Sequence, residues 1–563
     1  MHSDFLNQIL IKRGFKDKEE IEKFLNPDYD RDIFDPFLMR DMEKSCERIY
    51  KAIKENQKIV IYADYDCDGI PGAVVLSDLF KKINYPNFEV YIPERNSEGY
   101  GLNFEAIEDF RTRGVNLIIT IDLGITAIEE VALANSYNIE VIITDHHLPR
   151  RNLGEGGVDI LDLPKAFAIL NPKVDEYPES MLCGAGVVFK LVSGFVEKYR
   201  EEFNINLGWE KWLLDMAGLA TLSDMVPLLG ENRTIAYYGM KVLHKSPRPG
   251  LQQLLKIMKI EQKTLSTTDV TFMITPRINA ASRMDSPMRA FELLGTKDET
   301  EGGALATHLS KINDERKNIV LHIMKDVKKH FEKREDLKDL PVLVIGNPAW
   351  RVGVLGIVAG KVVEEYDKVV FVWGKDENDI IKGSCRAKEG ISIVELMTHA
   401  KEYFKEYGGH ELAGGFSVEN EKIHFLEEAL NQSYKEIKKT DKSETHHIVY
   451  DMKLNLRDVN MKNWRELDRM EPFGLGNPIP VFLFENLKIE KIKKFGKNGS
   501  GEHLEFTFSD NTKRGMIAIS FFSDENSFSR KIWGGGTVNL LATFDLSRFR
   551  GREELRLRIV DII

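Results

Sequence analysis

Three aspartates at alternating positions form the most chemically distinctive segment of the chain. Asp64, Asp66 and Asp68 directly follow an apolar, β-branched run that predicts a strand. This spacing occurs in EF-hand calcium loops, but an EF-hand needs a helix before the loop and a glutamate at its twelfth position, where this chain has Val75. The calcium interpretation fails on both counts, which leaves a catalytic metal site as the interpretation of these carboxylates.

Two later predicted strands also end in residues that could bind metal. The run 117–121 leads into Asp122, and the next leads into Asp145, His146 and His147. If the strands are parallel neighbours, their carboxyl ends bring all these side chains to one edge of a sheet. So much negative charge needs cations, and mixed carboxylate and imidazole ligands suit Mn²⁺ or Mg²⁺. Two such ions could activate a water and stabilise the leaving oxygen of a phosphodiester.

A purely structural role is the alternative interpretation of these residues. A single aspartate after a strand is usually a turn residue or a helix cap, and adjacent histidines alone would be unremarkable. Three acidic strand ends combined with paired histidines are poorly explained by coincidence, so the set favours a metal centre.

The elements that would position these residues alternate regularly from about residue 57. Apolar, β-branched runs lie at 58–63, 89–92, 117–121, 140–144 and 168–170, with helix-like stretches such as 71–82 and 125–136 between them. This is the βαβ signature of a doubly wound parallel α/β sheet, which places ligands beyond the carboxyl ends of its strands.

A long connecting helix is predicted after this region. Residues 304–340 contain no Gly or Pro, and apolar residues recur at helical spacing from Leu305 to Phe331. A coiled-coil dimer arm is the less favoured alternative, since only about four heptads are available. Pro341 ends the helix, and a second α/β unit follows from 342 to about 437.

The C-terminal part predicts a linker and then a small β-barrel. Residues 438–444 are polar and lysine-rich, and a bend rich in Pro and Gly covers 471–480. Five strand-like runs follow at 481–492, 503–508, 516–522, 537–544 and 554–560, which fits an oligonucleotide-binding (OB) fold. Six of their aromatics could stack on bases, although barrel aromatics belong more often to the core: Phe482, Phe484, Phe506, Phe508, Phe521 and Phe522.

Composition indicates a globular protein of several domains. The chain of 563 residues is 42% hydrophobic and 30% charged. The net charge of −11 argues only weakly against nucleic acid, because a local basic groove is enough to bind phosphates. The four scattered cysteines exclude a C-x-x-C zinc site and a disulfide framework. We expect no membrane partner and a cytoplasmic location, since no apolar run spans a bilayer and the start lacks a signal-peptide pattern.

Motifs spread over nearly the whole chain resemble those of the DHH phosphoesterase superfamily, named for the triplet seen here as Asp145-His146-His147. The matching segments are 63–69, 120–124, 144–147, 182–186, 222–228, 276–283, 383–386, 408–416 and 472–478. In combination and in this order, they most resemble the superfamily's single-strand-specific exonucleases.

The resemblance implies a ligand set for two divalent metal ions, Mn²⁺ or Mg²⁺. The implied ligands are Asp64, Asp66, Asp68, Asp122, His146 and Asp224. Asp122 is the candidate for the bridging carboxylate, whereas Asp224 alone would be interpreted as a cap or turn residue. The implied catalytic residues are His147, which would contact the scissile phosphate, and Asp145, which would orient a histidine.

The resemblance also implies that the second α/β unit is a DHH-associated domain that binds the substrate. Ser384 and Arg386 could form a pocket for the DNA 5′ end, because a hydroxyl and a guanidinium both suit phosphate. Arg277, Arg283 and His410 are further phosphate-binding candidates. Without the resemblance, each arginine would be interpreted as a surface salt-bridge residue, and His410 as a loop histidine.

The implied organisation has five parts. These are an N-terminal helical extension (1–56), a DHH catalytic domain (57–297), a connecting helix (298–340), a DHH-associated domain (341–440) and an OB-like nucleic-acid-binding domain (445–563). The implied activity is 5′→3′ exonuclease digestion of single-stranded DNA to 5′-nucleotides, in repair and recombination. The implied protein is a monomer, with a single-strand-binding protein and a helicase as candidate partners.

Two other functions stay open. A phosphodiesterase for short oligonucleotides or cyclic dinucleotides would use the same metal chemistry, but such relatives lack the long helix and the barrel. A non-catalytic scaffold should have lost metal ligands, and every expected ligand is present in this chain.

Overall fold

The structure is a computed structural model that describes residues 4–95, 97–153, 159–388, 390–437, 450–496, 503–547 and 553–563. The chain divides into two compact units. The larger contains Asp35–Asp224 and Tyr238–Thr445, and the smaller contains Met1–Phe34, Met225–Tyr237 and His446–Ile563. The predicted linker at 438–444 lies outside the described residues. In the described part of the chain, no helix has the length and apolar character needed to cross a membrane.

Helices and strands are numbered in chain order. The α-helices are α1 (Asp4–Lys12), α2 (Lys18–Leu25), α3 (Tyr29–Asp32), α4 (Met42–Lys54), α5 (Gly69–Lys82), α6 (Phe104–Thr112), α7 (Ile128–Ser136), α8 (Gly184–Tyr199), α9 (Leu214–Ser223), α10 (Gly230–Leu243), α11 (Pro249–Met258), α12 (Thr267–Asp269), α13 (Thr275–Met284), α14 (Met288–Gly295), α15 (Glu299–Lys333), α16 (Leu355–Tyr366), α17 (Ile393–His399), α18 (Ile423–Ile437) and α19 (Met461–Asp468). The strands are β1 (Ile59–Ala63), β2 (Phe88–Tyr91), β3 (Leu117–Ile121), β4 (Glu140–Thr144), β5 (Arg150–Leu153), β6 (Asp159–Asp162), β7 (Ala168–Leu170), β8 (Val342–Gly346), β9 (Val369–Lys375), β10 (Ile381–Arg386), β11 (Glu406–Gly409), β12 (Ala413–Val418), β13 (Met452–Lys453), β14 (Phe482–Phe495), β15 (His503–Ser509), β16 (Met516–Phe521), β17 (Thr537–Ser547) and β18 (Glu554–Ile562).

The predicted doubly wound sheet is confirmed. Its strand order is β2-β1-β3-β4-β7, and all neighbouring strands are parallel. Every residue of β1 and β3 is buried, as expected of strands covered by helices on both faces. In the register, Ala63 pairs with Ile121 and Ile121 pairs with Thr144, so three strands end at the same level.

The long helix is also confirmed, but it ends before residue 340. Helix α15 starts before Ala304 and includes Gly302, where a Cβ atom would lie only 3.0 Å from the Cα of Gly250. The glycine therefore permits close packing against α11 and does not break the helix. The helix ends at Lys333, because Glu335–Lys338 forms a 3₁₀ turn that buries Leu337.

The apolar stripe of α15 packs inside the chain. Val320, Ile323 and Val327 share a core with Val358 and Val362 of α16. These contacts account for the stripe without a dimer arm.

A second sheet has the strand order β11-β12-β10-β9-β8. Only β8 and β9 are parallel, and the other neighbours are antiparallel. Helix α16 packs in the core on one face, and α17 and α18 pack in the core on the other face. This arrangement forms the predicted second α/β region.

The C-terminal barrel contains all five predicted strands. The order is β13-β14-β15-β16-β18-β17, and an additional β14–β17 pairing closes the barrel. Its core includes apolar residues of α1 and α2, such as Leu6, Ile9 and Phe24. Of the six aromatics considered as base platforms, four are fully buried and belong to this core: Phe482, Phe484, Phe506 and Phe508.

Candidate metal centre

The parallel sheet aligns three aspartates at the carboxyl ends of adjacent strands. Asp64 follows β1, Asp122 follows β3 and Asp145 follows β4. Backbone hydrogen bonds continue past the strands, since the Asp64 N–H donates to the Ile121 carbonyl at 3.0 Å and the Asp122 N–H donates to the Thr144 carbonyl at 2.9 Å. These main-chain bonds fix the positions of the aspartates relative to one another.

Seven of the sequence-predicted residues form three overlapping groups that could each hold a metal ion. Within a group, the candidate ligand atoms all lie within 4.8 Å of one another. The groups are Asp64 with Asp66 and Asp122, Asp68 with His146 and Asp224, and Asp122 with His146 and His147. Asp122 and His146 each belong to two groups. The two oxygens of Asp122 allow it to bridge two adjacent ions, whereas His146 offers one nitrogen lone pair and can bind one ion.

His146 connects carboxylates from distant parts of the chain. Its Nε2 lies 3.1 Å from Asp122 Oδ1, 3.7 Å from Asp68 Oδ2 and 3.8 Å from Asp224 Oδ2. Asp224 directly follows α9, and the fold brings it to the sheet edge. Burial and the neighbouring charge of His147 lower the pKa of His146 to about 3, so the imidazole is neutral, which is its ligating form.

The carboxylates of the cluster repel one another, and protein groups offset that repulsion only in part. Asp64 Oδ1 and Asp122 Oδ1 are buried and, among the described residues, have no hydrogen-bond partner. Burial and then Asp68 raise the pKa of Asp122 well above its usual range, and burial, Asp68 and Asp66 raise the pKa of Asp224 to about 9. Divalent cations would supply the missing positive charge, and these oxygen and imidazole donors fit Mn²⁺ and Mg²⁺.

Main-chain donors orient the carboxylates of the first loop. Asp68 accepts hydrogen bonds from the N–H groups of Gly184 at 2.6 Å and Ala185 at 2.7 Å, at the start of α8. Asp66 Oδ1 accepts a hydrogen bond from the Asp68 N–H at 2.8 Å. A Cβ atom on Gly184 would lie 2.6 Å from Asp122 Cβ, so only glycine lets α8 approach the cluster this closely.

Asp145 is fully hydrogen-bonded and lies behind the histidines. Its Oδ1 accepts from the N–H groups of His146 and His147 and lies 2.8 Å from His147 Nδ1, while Oδ2 accepts from the Ile125 N–H. Burial opposes a charged imidazole, but the hydrogen bond with Asp145 outweighs it and raises the pKa of His147. The hydrogen bond between Asp145 and Nδ1 therefore favours the imidazolium form of His147, in which Nε2 also carries a proton that it can donate.

Arginines without carboxylate partners lie beside the cluster. Burial and the charges of Arg95 and Arg316 lower the pKa of Arg283 to about 9, and Arg283 also acts on Asp66. Burial and Arg277 lower the pKa of Arg316. In the described part of the chain, none of these arginines forms an ion pair with a carboxylate. Such a concentration of positive charge fits a phosphate-rich ligand.

Of the remaining phosphate candidates, Ser384 and Arg386 lie on the second sheet, His410 lies next to it, and Arg277 lies on α13. Ser384 and Arg386 both point towards Gly356, where a Cβ atom would lie 3.4 Å from Ser384 Oγ and 3.1 Å from Arg386 Nη2. Arg95 lowers the pKa of Arg386, after the larger effect of burial. The ring of His410 lies 6.4 Å from that of His147 and nearly parallel to it. Arg277 donates to Ser310 Oγ and to the Met273 carbonyl.

Sequence reasoning missed several residues of this region. Arg95 lies over the ring of Tyr65 at 4.9 Å, and Lys173 acts electrostatically on Asp224, Asp145 and Asp122. The Tyr100 hydroxyl donates to the Asp122 carbonyl at 3.2 Å. The strand-end rule could have found Arg95 and Lys173, which closely follow β2 and β7.

Buried polar atoms on α13 and α15 were missed as well. Asn279 Oδ1, both side-chain polar atoms of Asn313, and Arg316 Nε have no hydrogen-bond partner among the described residues. Unpaired buried polar groups are costly, so this surface fits a polar ligand better than an apolar core. No local sequence pattern marks these residues.

Family models match three segments of the chain. The N-terminal domain of the DHH family matches residues 58–221, the DHHA1 domain matches 339–439, and the RecJ OB domain matches 450–561. Two crystal structures of RecJ with manganese are also similar to this chain. One, from Thermus thermophilus, has a TM-score of 0.80 at 23% identity and covers 100% of this chain and 76% of that one, which shows a shared fold. The other has a TM-score of 0.60 at 26% identity and covers 70% of this chain and 94% of that one.

Curated relatives extend the similarity over the full length. The single-stranded-DNA-specific exonuclease RecJ of Escherichia coli is 28% identical over 99% of this chain and 95% of its own. The protein with the same name from Bacillus subtilis is 32% identical over 98% of this chain and 67% of its own. The chain therefore belongs to the RecJ family.

Proposed function

We propose that this protein is an exonuclease specific for single-stranded DNA, which uses two divalent cations to release 5′-nucleotides from the 5′ end. The observation that carries the proposal is the metal cluster around Asp122 and His146, next to arginines that have no carboxylate partner among the described residues. Membership of the RecJ family supports the substrate and the polarity, which no residue spacing encodes.

The proposed ligands are Asp64, Asp66, Asp68, Asp122, His146 and Asp224. Cations bound there would activate water and neutralise charge on the scissile phosphate. Asp145 holds His147 through hydrogen bonds to its ring and its backbone, so that His147 Nε2 can donate to the phosphate as negative charge develops. The Tyr100 hydroxyl donates a hydrogen bond to the Asp122 carbonyl and thereby helps to fix the backbone of this ligand.

The proposed phosphate-binding residues surround this centre. Arg95 repels both Arg283 and Arg386, and a terminal 5′-phosphate between them would relieve that repulsion. Ser384 adds a hydroxyl donor beside Arg386. Arg277 and His410 are proposed to contact phosphates farther along the strand. A site that holds the terminal phosphate fixes the end at which digestion starts.

The barrel carries a row of partly exposed aromatic rings that suits unpaired bases. Phe495 pairs with His503, and His503 pairs with Phe521, so three rings lie in register across β14, β15 and β16. The guanidinium of Arg558 lies 5.5 Å from the Phe521 ring centre. Next to the row, Phe522 is 83% exposed. Stacking on such rings is independent of base sequence and requires bases that are not paired.

The remaining proposals follow from family membership. We propose a monomeric, cytoplasmic protein that works with a single-strand-binding protein and a helicase in repair and recombination. The proposed catalytic domain is 57–297, followed by the connecting helix (298–340), the substrate-binding DHH-associated domain (341–440) and the OB-like domain (445–563).

The proposal is tested with Asp122→Asn, which removes charge from the shared ligand and keeps its shape. With Mn²⁺ and single-stranded DNA, we expect nucleotide release to fall by a factor of about 1,000 or more. Asp109→Asn is the matched control, because Asp109 is an exposed residue that pairs with Arg113. Equal activity of Asp122→Asn and the control, or equal activity with EDTA and Mn²⁺, would overturn the metal mechanism.

A further inference from the structure

A second cavity lies at the opposite end of α5 from the metal centre. Helix α5 begins directly after Asp68, and its last turn, with Lys81 and Lys82, lines a cavity of about 390 Å³. At about 1.5 Å per residue, the 14 residues of α5 separate this cavity from the metal cluster by about 20 Å. The proposed catalytic residues do not line it.

The carboxylates of this cavity are already paired. Arg248 Nε lies 2.8 Å from Asp215 Oδ2, and Arg248 Nη2 lies 2.7 Å from Asp78 Oδ2. The Ser246 hydroxyl also donates to Asp215 at 2.7 Å. The ion network is buried and forms one wall, in which Arg248 pairs with both aspartates.

Three lysines line the same space. Lys81, Lys82 and Lys297 form no ion pair with any carboxylate in the part of the chain that the structure describes. Burial lowers the pKa of Lys81; the charge of Asp78 opposes this effect, and the smaller effects of Lys297 and Arg248 add to it. The lysines therefore form a local positive cluster in an acidic protein, which favours an anionic ligand.

Two indoles complete the cavity. Trp209 and Trp212 lie three residues apart in the 3₁₀ helix Trp209–Leu213, and side chains at this spacing point in the same direction because a 3₁₀ turn has three residues. Trp212 is 48% exposed, although an indole is among the most costly side chains to leave in water. Lys245 lies over its ring at 5.1 Å. An exposed indole beside cations provides a stacking surface for a flat ring.

We infer that this cavity binds a nucleotide unit, with the base stacked on Trp212 and the phosphate held by Lys81 and Lys297. A nucleotide combines a flat ring, which suits the tryptophans of this cavity, with an anion, which suits its lysines. The cavity volume of about 390 Å³ lies within the range of small-ligand sites. The nucleotide can belong to a strand of DNA or be free in solution. The two sources share this chemistry and are separated by experiment.

The test is photocrosslinking with 8-azido-dAMP, followed by peptide mapping of the full-length, Mn²⁺-loaded protein. We expect label on the peptide that contains Trp209–Leu213. The pair Lys81→Gln/Lys297→Gln should reduce this label at least fivefold, and Trp212→Phe should retain it. The matched control is Lys325→Gln/Lys328→Gln, two lysines of α15 with the same change in charge.

A second arm uses a 12-nucleotide strand with one internal azido-adenine, bound to Asp122→Asn protein to prevent digestion. Label from this strand identifies DNA as the occupant, whereas label from 8-azido-dAMP alone identifies a free nucleotide. Absence of label from both probes, or label that survives the Lys81/Lys297 substitutions, overturns the inference. The inference is also overturned if inorganic phosphate or a glutamate-rich peptide reduces the labelling as strongly as dAMP does. The readout is the position of the label, so it does not depend on nuclease activity.

Discussion

Asp122 adopts a left-handed backbone conformation, with φ of 63°, at the carboxyl end of β3. Aspartate tolerates this conformation better than most residues, but it still costs energy relative to an extended one. The backbone is held there by hydrogen bonds from its N–H to Thr144 and to its carbonyl from Tyr100. Strain of this kind is typical of functional sites, and here it turns the shared carboxylate towards His146.

The hydrogen bonds of Asp510, in the barrel, predict that the stability of the protein depends on pH. Asp510 accepts hydrogen bonds from the N–H groups of Leu456, Thr512 and Lys513 and from the Thr512 hydroxyl. Burial alone would raise the pKa of Asp510, but these bonds outweigh burial and lower it. The stabilisation is therefore present above the unfolded-state pKa of about 4 and is lost as the pH falls through the lower folded-state value.

Asp510→Asn should reduce the free energy of unfolding by about 1 to 2 kcal/mol at pH 7, and by less at about pH 3.5. Thermal unfolding of both proteins across this range measures the difference. Asp326→Asn, an exposed substitution on α15, is the control. A difference that is the same at both ends of the range would contradict this account of Asp510.

The start of α8 is the element on which the metal centre depends most. Its first N–H groups bind Asp68, and Gly184 lets the helix approach Asp122. Gly184→Ala should displace Asp122 and reduce nuclease activity about 100-fold, because shifts of about 1 Å at reacting groups have effects of that size. Steady-state rates on single-stranded DNA measure the effect.

Gly186→Ala is the matched control, two residues farther along the same helix. A Cβ atom there would be 3.6 Å from its nearest neighbour, the Cys183 Sγ, so the methyl group fits. Alanine should also stabilise the helix by up to about 1 kcal/mol. If both variants retained wild-type activity, the close approach of α8 would not determine the geometry of the site.

The turn after β16 gives a separate prediction for the barrel. Phe522 is 83% exposed and has a φ of 52°, which is unfavourable for a bulky residue. Its N–H donates to His503 Nδ1 at 3.0 Å and places the ring at the end of the aromatic row. Asparagine accepts this backbone conformation but cannot stack, so Phe522→Asn should leave stability unchanged or higher.

The same substitution should weaken binding of single-stranded DNA at least fivefold, as expected when one stacking ring is lost. Fluorescence anisotropy of a labelled strand measures the affinity, and Phe522→Trp should preserve it. Phe425→Ala, which removes an exposed ring from α18, is the control. Loss of stability without loss of affinity would assign Phe522 a structural role.

Across the whole molecule, the sequence predicted those features that local rules encode. Buried β-branched runs identify the strands of a parallel sheet, and residues directly after such strands meet at one edge, as Asp64, Asp122 and Asp145 do. Asp224 follows a helix, so only the family resemblance indicated its place in the cluster.

Features that depend on tertiary packing could not be predicted. Arg316 and Asn313 occupy ordinary helical positions in α15, and their unpaired polar atoms become apparent only in the folded chain. The apolar stripes of α1 and α2 predict burial but not the core that they join, which is that of the C-terminal barrel. The close approach of Gly302 to Gly250 likewise becomes apparent only in the folded chain.

The most direct test of the proposed activity is digestion of one single-stranded DNA labelled at the 5′ end and, separately, at the 3′ end. With Mn²⁺, we predict that the 5′ label appears at once as a mononucleotide, while the 3′ label passes through progressively shorter strands. A blunt duplex should resist digestion. Immediate release of the 3′ label as a mononucleotide, or cleavage only of dinucleotides, would contradict the account, even if the metal cluster binds its ions as proposed.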